Sequence, residues 1–385
     1  MPDPRTPLAL VVASFALSCD GGDTASDTSS STTTSDAQTG ADTSAPTGAW
    51  RVLGGGDHAG LGTRLHGAAR HDGALYVAMH AGRDDRVDVV RLEDDGARAV
   101  VDMPFKIQNT ANPRLVSTGD DLFMLVPYFA GGNRIGVYRL DGAAFVELAD
   151  ASTTARTLAD LVLVAAGTTI AAAWFEGDGP VVVARRDPDT DSWTPVGGGP
   201  AATPALGSGE LSLDHEDGRF LVAYSENEDQ QAFATVRGFD GDAWTTLGEP
   251  RLDGSLGFFD VALSDGEAYF LRSVPEHRVL RWTGSAWEVA YEGEPGEQLF
   301  DLRSDGGDLY WVAHGGTHGA GHVVRMREGR VDHFPNRTEA GAVLLVAPLT
   351  TFPRREIVAD GGALSYVYED IGGNVWKVWS TLWVP

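Results

Sequence analysis

A repeat that recurs seven times constrains the fold of this chain more than any other feature. Each copy contains a charged residue followed directly by an aliphatic residue, and successive copies start 50, 46, 50, 50, 41 and 55 residues apart. The seven pairs are Arg64-Leu65, Arg114-Leu115, Asp160-Leu161, Glu210-Leu211, Asp260-Val261, Asp301-Leu302 and Glu356-Ile357. Repeats of this length are typical of proteins in which one small structural unit is stable only beside its neighbours.

The pattern inside each repeat predicts four short strands. Several residues after the charged residue (eight for Asp72-Gly73 and five for Asp265-Gly266), a Gly/Asp turn begins a second apolar run. Such dipeptides between apolar runs indicate β-hairpins, because tight hairpin turns need positive φ angles. A third run carries a basic residue, and a fourth begins with an aromatic residue in several repeats (Phe145, Trp193, Trp244 and Trp287). Four strands in each of seven repeats predict an all-β fold, a seven-bladed β-propeller of four-stranded antiparallel blades.

The two ends of the repeat region predict how the ring closes. The apolar run 375–384 occupies a third-strand position, so its own blade lacks a fourth strand. Residues 49–54 match the fourth-strand sequence at 243–248. We therefore expect residues 49–54 to form the outermost strand of the last blade, which would close the ring. The stretch 339–353 stays unassigned.

These repeats resemble those of secreted bacterial propeller proteins, and more distantly those of kelch and sialidase-type blades. The resemblance covers residues 49–385 and concerns the architecture. The fixed di-glycine of kelch repeats is absent, and no sialidase Asp-box is intact, because Phe239–Trp244 has its Asp and Gly in the wrong order. The resemblance therefore implies a fold and an extracytoplasmic location, and it implies no catalytic residues.

The first 48 residues predict export and anchoring. The apolar run Leu8–Leu17 suits the core of a signal peptide and is too short to span a bilayer. It ends at Ala16–Cys19, which resembles a bacterial lipobox. We expect a signal peptide at 1–18, a lipid on Cys19, a disordered tether to residue 48 with 14 Ser or Thr, and the propeller at 49–385. This predicts a lipoprotein of the cell envelope that faces the periplasm or the exterior; the alternative is an ordinary secreted protein.

Charge and cysteine content exclude several classes of partner. The formal net charge of −26 over 385 residues disfavours binding to nucleic acid or to anionic lipid. We expect contact with the membrane through the lipid anchor only, and a monomeric protein. The single cysteine excludes a disulfide within the chain and a thiolate metal cluster.

The charged position of the repeat is the candidate site. In the predicted propeller it lies where each innermost strand begins, so seven charged side chains would surround one mouth of the central channel. They are Arg64, Arg114, Asp160, Glu210, Asp260, Asp301 and Glu356. The five carboxylates could bind a divalent cation such as Ca²⁺ or a cationic ligand. The alternative is a solvated ring in which the two arginines pair with neighbouring acids.

Other chemical motifs are weak. His314, His318 and His322 are four residues apart, but the intervening glycines favour a mobile hairpin loop. No nucleophile elbow, phosphate-binding loop or zinc-protease motif occurs, so we assign no catalytic residue. We expect a non-enzymatic module that binds protein or glycan at one face. The alternatives are a metal-dependent hydrolase or lyase that uses the acidic mouth, and a purely structural envelope protein.

Overall fold

The protein is a seven-bladed β-propeller, as the repeats predict. The computed structural model describes residues 46–53, 65–81, 86–96, 98–101, 103, 107–108, 113–128, 134–151, 161–176, 179–190, 192–203, 207–228, 231–249, 258–273, 276–316, 319–336, 355–372 and 375–385. Cys19, the predicted signal peptide and the predicted tether up to residue 45 lie outside this range, as do residues 339–353. The described residues form 29 strands in seven antiparallel sheets.

We number the blades 1 to 7 in the chain order of their innermost strands. Blade 1 contains β2 (Leu65–His71), β3 (Ala74–Ala81), β4 (Arg86–Leu92) and β5 (Arg98–Val101), with the short β6 (Ile107–Gln108) also paired to β4; blade 2 contains β7 (Arg114–Ser117), β8 (Leu122–Tyr128), β9 (Arg134–Asp141) and β10 (Ala144–Ala151); blade 3 contains β11 (Val162–Ala166), β12 (Thr169–Phe175), β13 (Val181–Arg186) and β14 (Trp193–Pro195); blade 4 contains β15 (Gly207–Glu216), β16 (Arg219–Glu228), β17 (Gln231–Phe239) and β18 (Trp244–Thr246). Blade 5 contains β19 (Phe259–Ser264), β20 (Glu267–Arg272), β21 (Arg278–Trp282) and β22 (Trp287–Glu292); blade 6 contains β23 (Gln298–Asp305), β24 (Asp308–Gly315), β25 (Gly319–Arg327) and β26 (Arg330–His333); blade 7 contains β27 (Arg355–Asp360), β28 (Ala363–Gly372), β29 (Val375–Val384) and β1 (Ala49–Val52).

The ring closes through the N-terminal strand, as predicted. Strand β1 is the outermost strand of blade 7 and pairs antiparallel with β29, with Ala49 opposite Val384 and Val52 opposite Thr381. Each innermost strand contacts the innermost strand of the next blade, and β27 contacts β2. No blade is therefore left with an open face toward solvent.

The core is divided into seven apolar clusters, one at each interface between neighbouring blades. Alternate residues of one strand pack into different clusters, since successive side chains point to opposite faces of a sheet. In β20, Phe270 packs toward blade 4, whereas Leu271 packs toward blade 6. Burial on both faces explains why the central strands are continuous apolar runs.

Aromatic residues of the outer strands join neighbouring blades. The indole nitrogens of Trp244, Trp287 and Trp50 each donate to a main-chain oxygen of the preceding blade at 2.9–3.0 Å. The acceptors are Val196, Leu247 and Pro335. These tryptophans are therefore interface residues of the fold, as their outer-strand position indicates.

Candidate functional site

The predicted ring residues line one central cavity of 720 Å³. Arg114, Glu210, Asp260, Asp301 and Glu356 all contribute to its wall. Arg114, Asp260 and Glu356 are the first or second residues of their innermost strands, whereas Glu210 and Asp301 are each the fourth residue of theirs. We call the end of the cavity at which these strands begin the mouth. The remaining two predicted members, Arg64 and Asp160, lie outside the described residues.

An arginine that the repeat pattern does not identify lies among these carboxylates. Nη2 of Arg303 is 2.9 Å from Oδ1 of Asp301, and 39% of the Arg303 side chain remains exposed within the cavity wall. Burial alone would lower the pKa of Arg303, but the negative charges around it raise that pKa above its usual range. These charges belong to Asp301, Asp260, Glu356 and Asp214. The cation that faces this part of the ring is therefore Arg303.

Asp301 adopts a backbone conformation that is unusual within a strand. Its φ angle is +54°, and the pairing register between β23 and β24 shifts between Phe300 and Arg303. Such a shift is a β-bulge, which bends the strand and redirects side chains. The other described non-glycine residues with positive φ all precede a glycine in a tight turn. Asp301 is therefore the one described residue at which positive φ shapes the cavity rather than a hairpin.

Burial raises the pKa of three carboxyl groups in the cavity. Removal from water raises the pKa of Glu356 to about 7 and that of Asp214 to about 6. The same cause raises the pKa of Asp260. The positive charge of Arg303 opposes the shift in each case but does not cancel it. Part of the acidic ring consequently carries protons near neutral pH.

Carboxylates of the innermost strands also hydrogen-bond to neighbouring blades. Asp214 accepts from the main-chain N–H of Leu263 at 2.7 Å, and Asp301 accepts from that of Ile357. Asp260 accepts from Ser212 Oγ at 3.1 Å. Glu356 likewise accepts from the main-chain N–H of Ala68. Neighbouring innermost strands belong to different sheets, so these side chains supply hydrogen bonds that a continuous sheet would make between backbones.

Arg114 connects three blades at the mouth. Its guanidinium donates to the main-chain oxygens of His66 in blade 1, at 2.8 Å, and of Leu161 beside blade 3, at 3.1 Å. In the alternative of a solvated ring, the two ring arginines would pair with neighbouring acids. The hydrogen-bond acceptors described for Arg114 are carbonyl oxygens, and its charge also lowers the pKa of Glu356.

Aromatic side chains flank the charged residues at the mouth. Phe258 directly precedes β19 and is 38% exposed, and its ring centre is 5.9 Å from that of Phe300 at an interplanar angle of 59°. Phe259, Phe258 and Phe300 all line the cavity. The mouth therefore offers aromatic surface beside Asp260 and Asp301.

The arrangement of these groups differs from a metal centre. Among the described residues, no three His, Cys, Asp or Glu side chains are placed so that they could hold a metal ion. Asp160, which the sequence included in a Ca²⁺ site with Glu210, Asp260, Asp301 and Glu356, lies outside the description. The described carboxylates face Arg303 and the amides of neighbouring blades.

The histidine-rich stretch forms a hairpin, and His314 and His322 lie in its strands rather than in its loop. Strand β24 continues through His314 to Gly315, and β25 begins at Gly319. His322 lies within β25 and is only 2% exposed; its Nε2 is 3.1 Å from Nδ1 of His333 and 3.8 Å from Oε1 of Glu297. The glycines permit a tight hairpin, so the strands extend further than expected. His318 lies outside the described residues.

Arg303 and Asp214 are among the charged cavity residues that were missing from the predicted ring; Arg70 and Asp360 are the others. Side chains two positions apart in a strand point to the same face. That periodicity places Asp214 on the face of Ser212, but the bulge at Asp301 changes the register before Arg303. The position of Asp214 could therefore be read from the sequence, whereas that of Arg303 depends on a local irregularity of the strand.

Comparisons with known proteins identify the fold. No protein-family model matches the sequence, and no curated protein matches it. Among solved structures, the polysaccharide lyase Uly1 is 12% identical, with 83% of this chain and 89% of that one covered and a TM-score of 0.51. A puromycin hydrolase is 14% identical, with coverage of 87% and 55% and a TM-score of 0.51.

A sialidase from Trypanosoma rangeli is 10% identical, with 88% of this chain covered and a TM-score of 0.44. The chain spans 60% of the length of that sialidase and 47% of a prolyl endopeptidase that is also similar. The described residues contain no helix that is long and apolar enough to cross a bilayer. At these identities the likeness concerns the propeller architecture alone.

Proposed function

We propose that this protein is a lipid-anchored propeller of the cell envelope that binds a protein or glycan ligand at its central cavity without transforming it. In this proposal, Cys19 carries the lipid and residues 20–48 hold the propeller away from the membrane. The domain faces the periplasm or the exterior and acts as a monomer. The resemblance of Ala16–Cys19 to a lipobox supports the anchoring.

One observation carries the binding proposal: a 720 Å³ cavity combines exposed charge and aromatic surface at the centre of a rigid ring. Cavities of 300–1,000 Å³ with a few convergent polar groups are typical of ligand sites. Seven apolar interfaces hold the surrounding strands, so the cavity exists before a ligand arrives. A preformed site lowers the entropic cost of binding.

The test is a thermal-shift screen of the full chain against oligosaccharides, short peptides, amines and carboxylic acids. A Val116→Trp variant fills the cavity from β7, which lines it. Val146→Trp is the matched control in the same blade, because Val146 is 46% exposed on β10. A ligand should raise the Tm of the wild type and of the control but not that of Val116→Trp. Equal stabilisation of all three proteins, or no stabilisation by any compound, would refute the proposal.

A second candidate, a hydrolase or lyase, is favoured by the carboxyl groups of Glu356 and Asp214. Acids whose pKa lies near ambient pH can transfer protons in catalysis, and both line the cavity. Prolonged incubation of any bound ligand with the protein, followed by mass spectrometry, distinguishes the two functions. Cleavage that Glu356→Gln abolishes would establish the enzyme, whereas recovery of intact ligand supports the binding module.

A further inference from the structure

The positive charge of Arg303 at the cavity wall disfavours a cationic ligand. Arg303 exposes 39% of its side chain and keeps its positive charge under all physiological conditions. Among the described residues, its guanidinium contacts the Asp301 carboxylate and the main-chain oxygen of Leu302. A cation placed beside Asp301 would be repelled by this guanidinium, 2.9 Å from the Asp301 carboxylate.

The carboxyl groups around Arg303 disfavour an anionic ligand. Glu356, Asp214 and Asp260 lie around Arg303, and their removal from water raises the pKa of each. An added negative charge would compete with them for the same arginine. Arg303 is already committed to Asp301 at 2.9 Å. The charge of Arg303 is therefore already compensated by described carboxylates, and an anionic ligand would have to displace Asp301 from it.

What the cavity does offer is a set of directional donors and acceptors next to an apolar surface. The guanidinium of Arg303 presents further N–H groups, and the paired carboxylate of Asp301 can accept hydrogen bonds. Adjacent hydroxyl groups of a sugar ring match such a donor and acceptor pair. The exposed ring of Phe258, held at 5.9 Å from Phe300, can pack against the C–H face of the same sugar.

We infer that the cavity binds a neutral, polyhydroxylated ligand, that is, an uncharged saccharide, with Phe258 as the packing surface and Arg303 with Asp301 as the hydrogen-bonding pair. This inference rests on the proposed function and specifies its ligand. The aromatic pair lies at the mouth, so a longer saccharide would enter past Phe258 and place its end against Arg303.

The experiment measures binding of oligosaccharides of equal length and different charge by titration calorimetry. The neutral probes are the cello-, malto-, xylo- and N-acetylchito-oligomers. The charged probes are a chitosan oligomer, which is cationic, and an oligogalacturonate, which is anionic. At least one neutral probe should bind, and the charged probes should bind at least about 10-fold more weakly, a difference of about 1.4 kcal/mol.

Two variants locate the binding. Phe258→Ala should weaken the binding of the neutral probe by about 10-fold while its Tm stays near the wild-type value, because the side chain is exposed. Val289→Ala removes another exposed apolar side chain, from the outer strand β22, and should leave binding unchanged. Unchanged affinity in Phe258→Ala would overturn the assignment of the packing surface.

The outcomes separate this inference from the proposed function. If a charged oligosaccharide or a peptide binds more tightly than every neutral probe, and Val116→Trp abolishes that binding, the ligand class is wrong and the cavity remains the binding site. If a neutral saccharide binds equally well to Val116→Trp, both the inference and the proposed function are wrong.

Discussion

The indole N–H of Trp287 donates a hydrogen bond to the main-chain oxygen of Leu247, 2.9 Å away in the preceding blade. Gly248 follows directly, and its φ angle is +82°. A Cβ atom at Gly248 would lie 2.8 Å from both Cδ1 and Nε1 of Trp287. The glycine thus permits the close approach on which this contact between blades 4 and 5 depends.

Gly248→Ala should destabilise the propeller at this interface. The substitution adds a methyl group against a rigid indole, and it also places a side chain at a positive φ angle. Gly284→Ala is the matched control, because Gly284 has a φ angle of +91° and open space around it. Urea unfolding should show that Gly248→Ala costs about 1–3 kcal/mol more than the control. Equal losses would mean that only backbone strain matters at Gly248.

Glu356 should make the stability depend on pH in a defined direction. Its pKa rises from the ordinary 4.5 to about 7 in the folded protein, so the folded state binds the proton more tightly than the unfolded chain. The stabilisation is complete below about pH 4.5, is lost as the pH rises through 7, and is absent above that. The loss is on the order of 3 kcal/mol.

The Glu356→Gln variant isolates this contribution. Glutamine stays neutral and can still accept a hydrogen bond, so the stability of the variant relative to wild type should increase between about pH 5 and about pH 8. Urea midpoints at both pH values measure the change. Glu288→Gln, an exposed substitution on β22, is the control. A constant difference between Glu356→Gln and wild type would contradict the raised pKa.

Calcium should leave the melting temperature unchanged. Asp260, Asp301 and Glu356 lie around Arg303, so the positive charge of Arg303 already compensates the carboxylates that a calcium ion would bind. Differential scanning calorimetry with millimolar calcium chloride and then with EDTA measures this directly. A calcium-dependent rise in Tm that the double variant Asp260→Asn/Asp301→Asn abolishes would instead favour the metal-dependent alternative.

Cys19→Ala should release the protein from the membrane. If the thiol carries the lipid, its loss leaves the exported propeller without an anchor, and the protein should move from the membrane fraction to the soluble one. Urea unfolding of the released domain should match that of the wild type, since the variant leaves residues 49–385 unchanged. A variant that stays in the membrane fraction would show that another feature attaches it.

The architecture could be predicted because propeller repeats carry their turn chemistry in the sequence. The Asp-Gly pairs at 72–73, 217–218 and 265–266 all adopt the positive φ angles that their residue types favour. The closing strand could be predicted equally well, because Trp50 has the same position in the repeat as Trp244. Both indoles make the same kind of hydrogen bond. Local rules of this kind do not depend on distant contacts.

The site was predictable only in outline. The repeat identifies Asp260 and Glu356 as cavity residues, since their position follows from the start of a strand. It does not reveal their partners, because the hydrogen bonds of Asp301 to Ile357 and of Glu356 to Ala68 cross between blades. The place of Arg303 among the carboxylates depends on the bulge at Asp301. The sequence gives no signal for this bulge, because the residue there is not a glycine. Burial, which sets the pKa of Glu356, is likewise a property of the whole ring.

The pairing of Ala49 with Val384 has a consequence for how the chain matures. Among the described strands, β1 is made first and its partner β29 last, so blade 7 stays incomplete until β29 has been synthesised. Contacts between such distant residues form slowly, and an unpaired strand edge invites association with other chains in the meantime. A truncated copy would never lose that edge. Closure of the ring therefore distinguishes a chain that contains β29, in which the edge of blade 7 is paired, from a chain that lacks β29, in which that edge stays open.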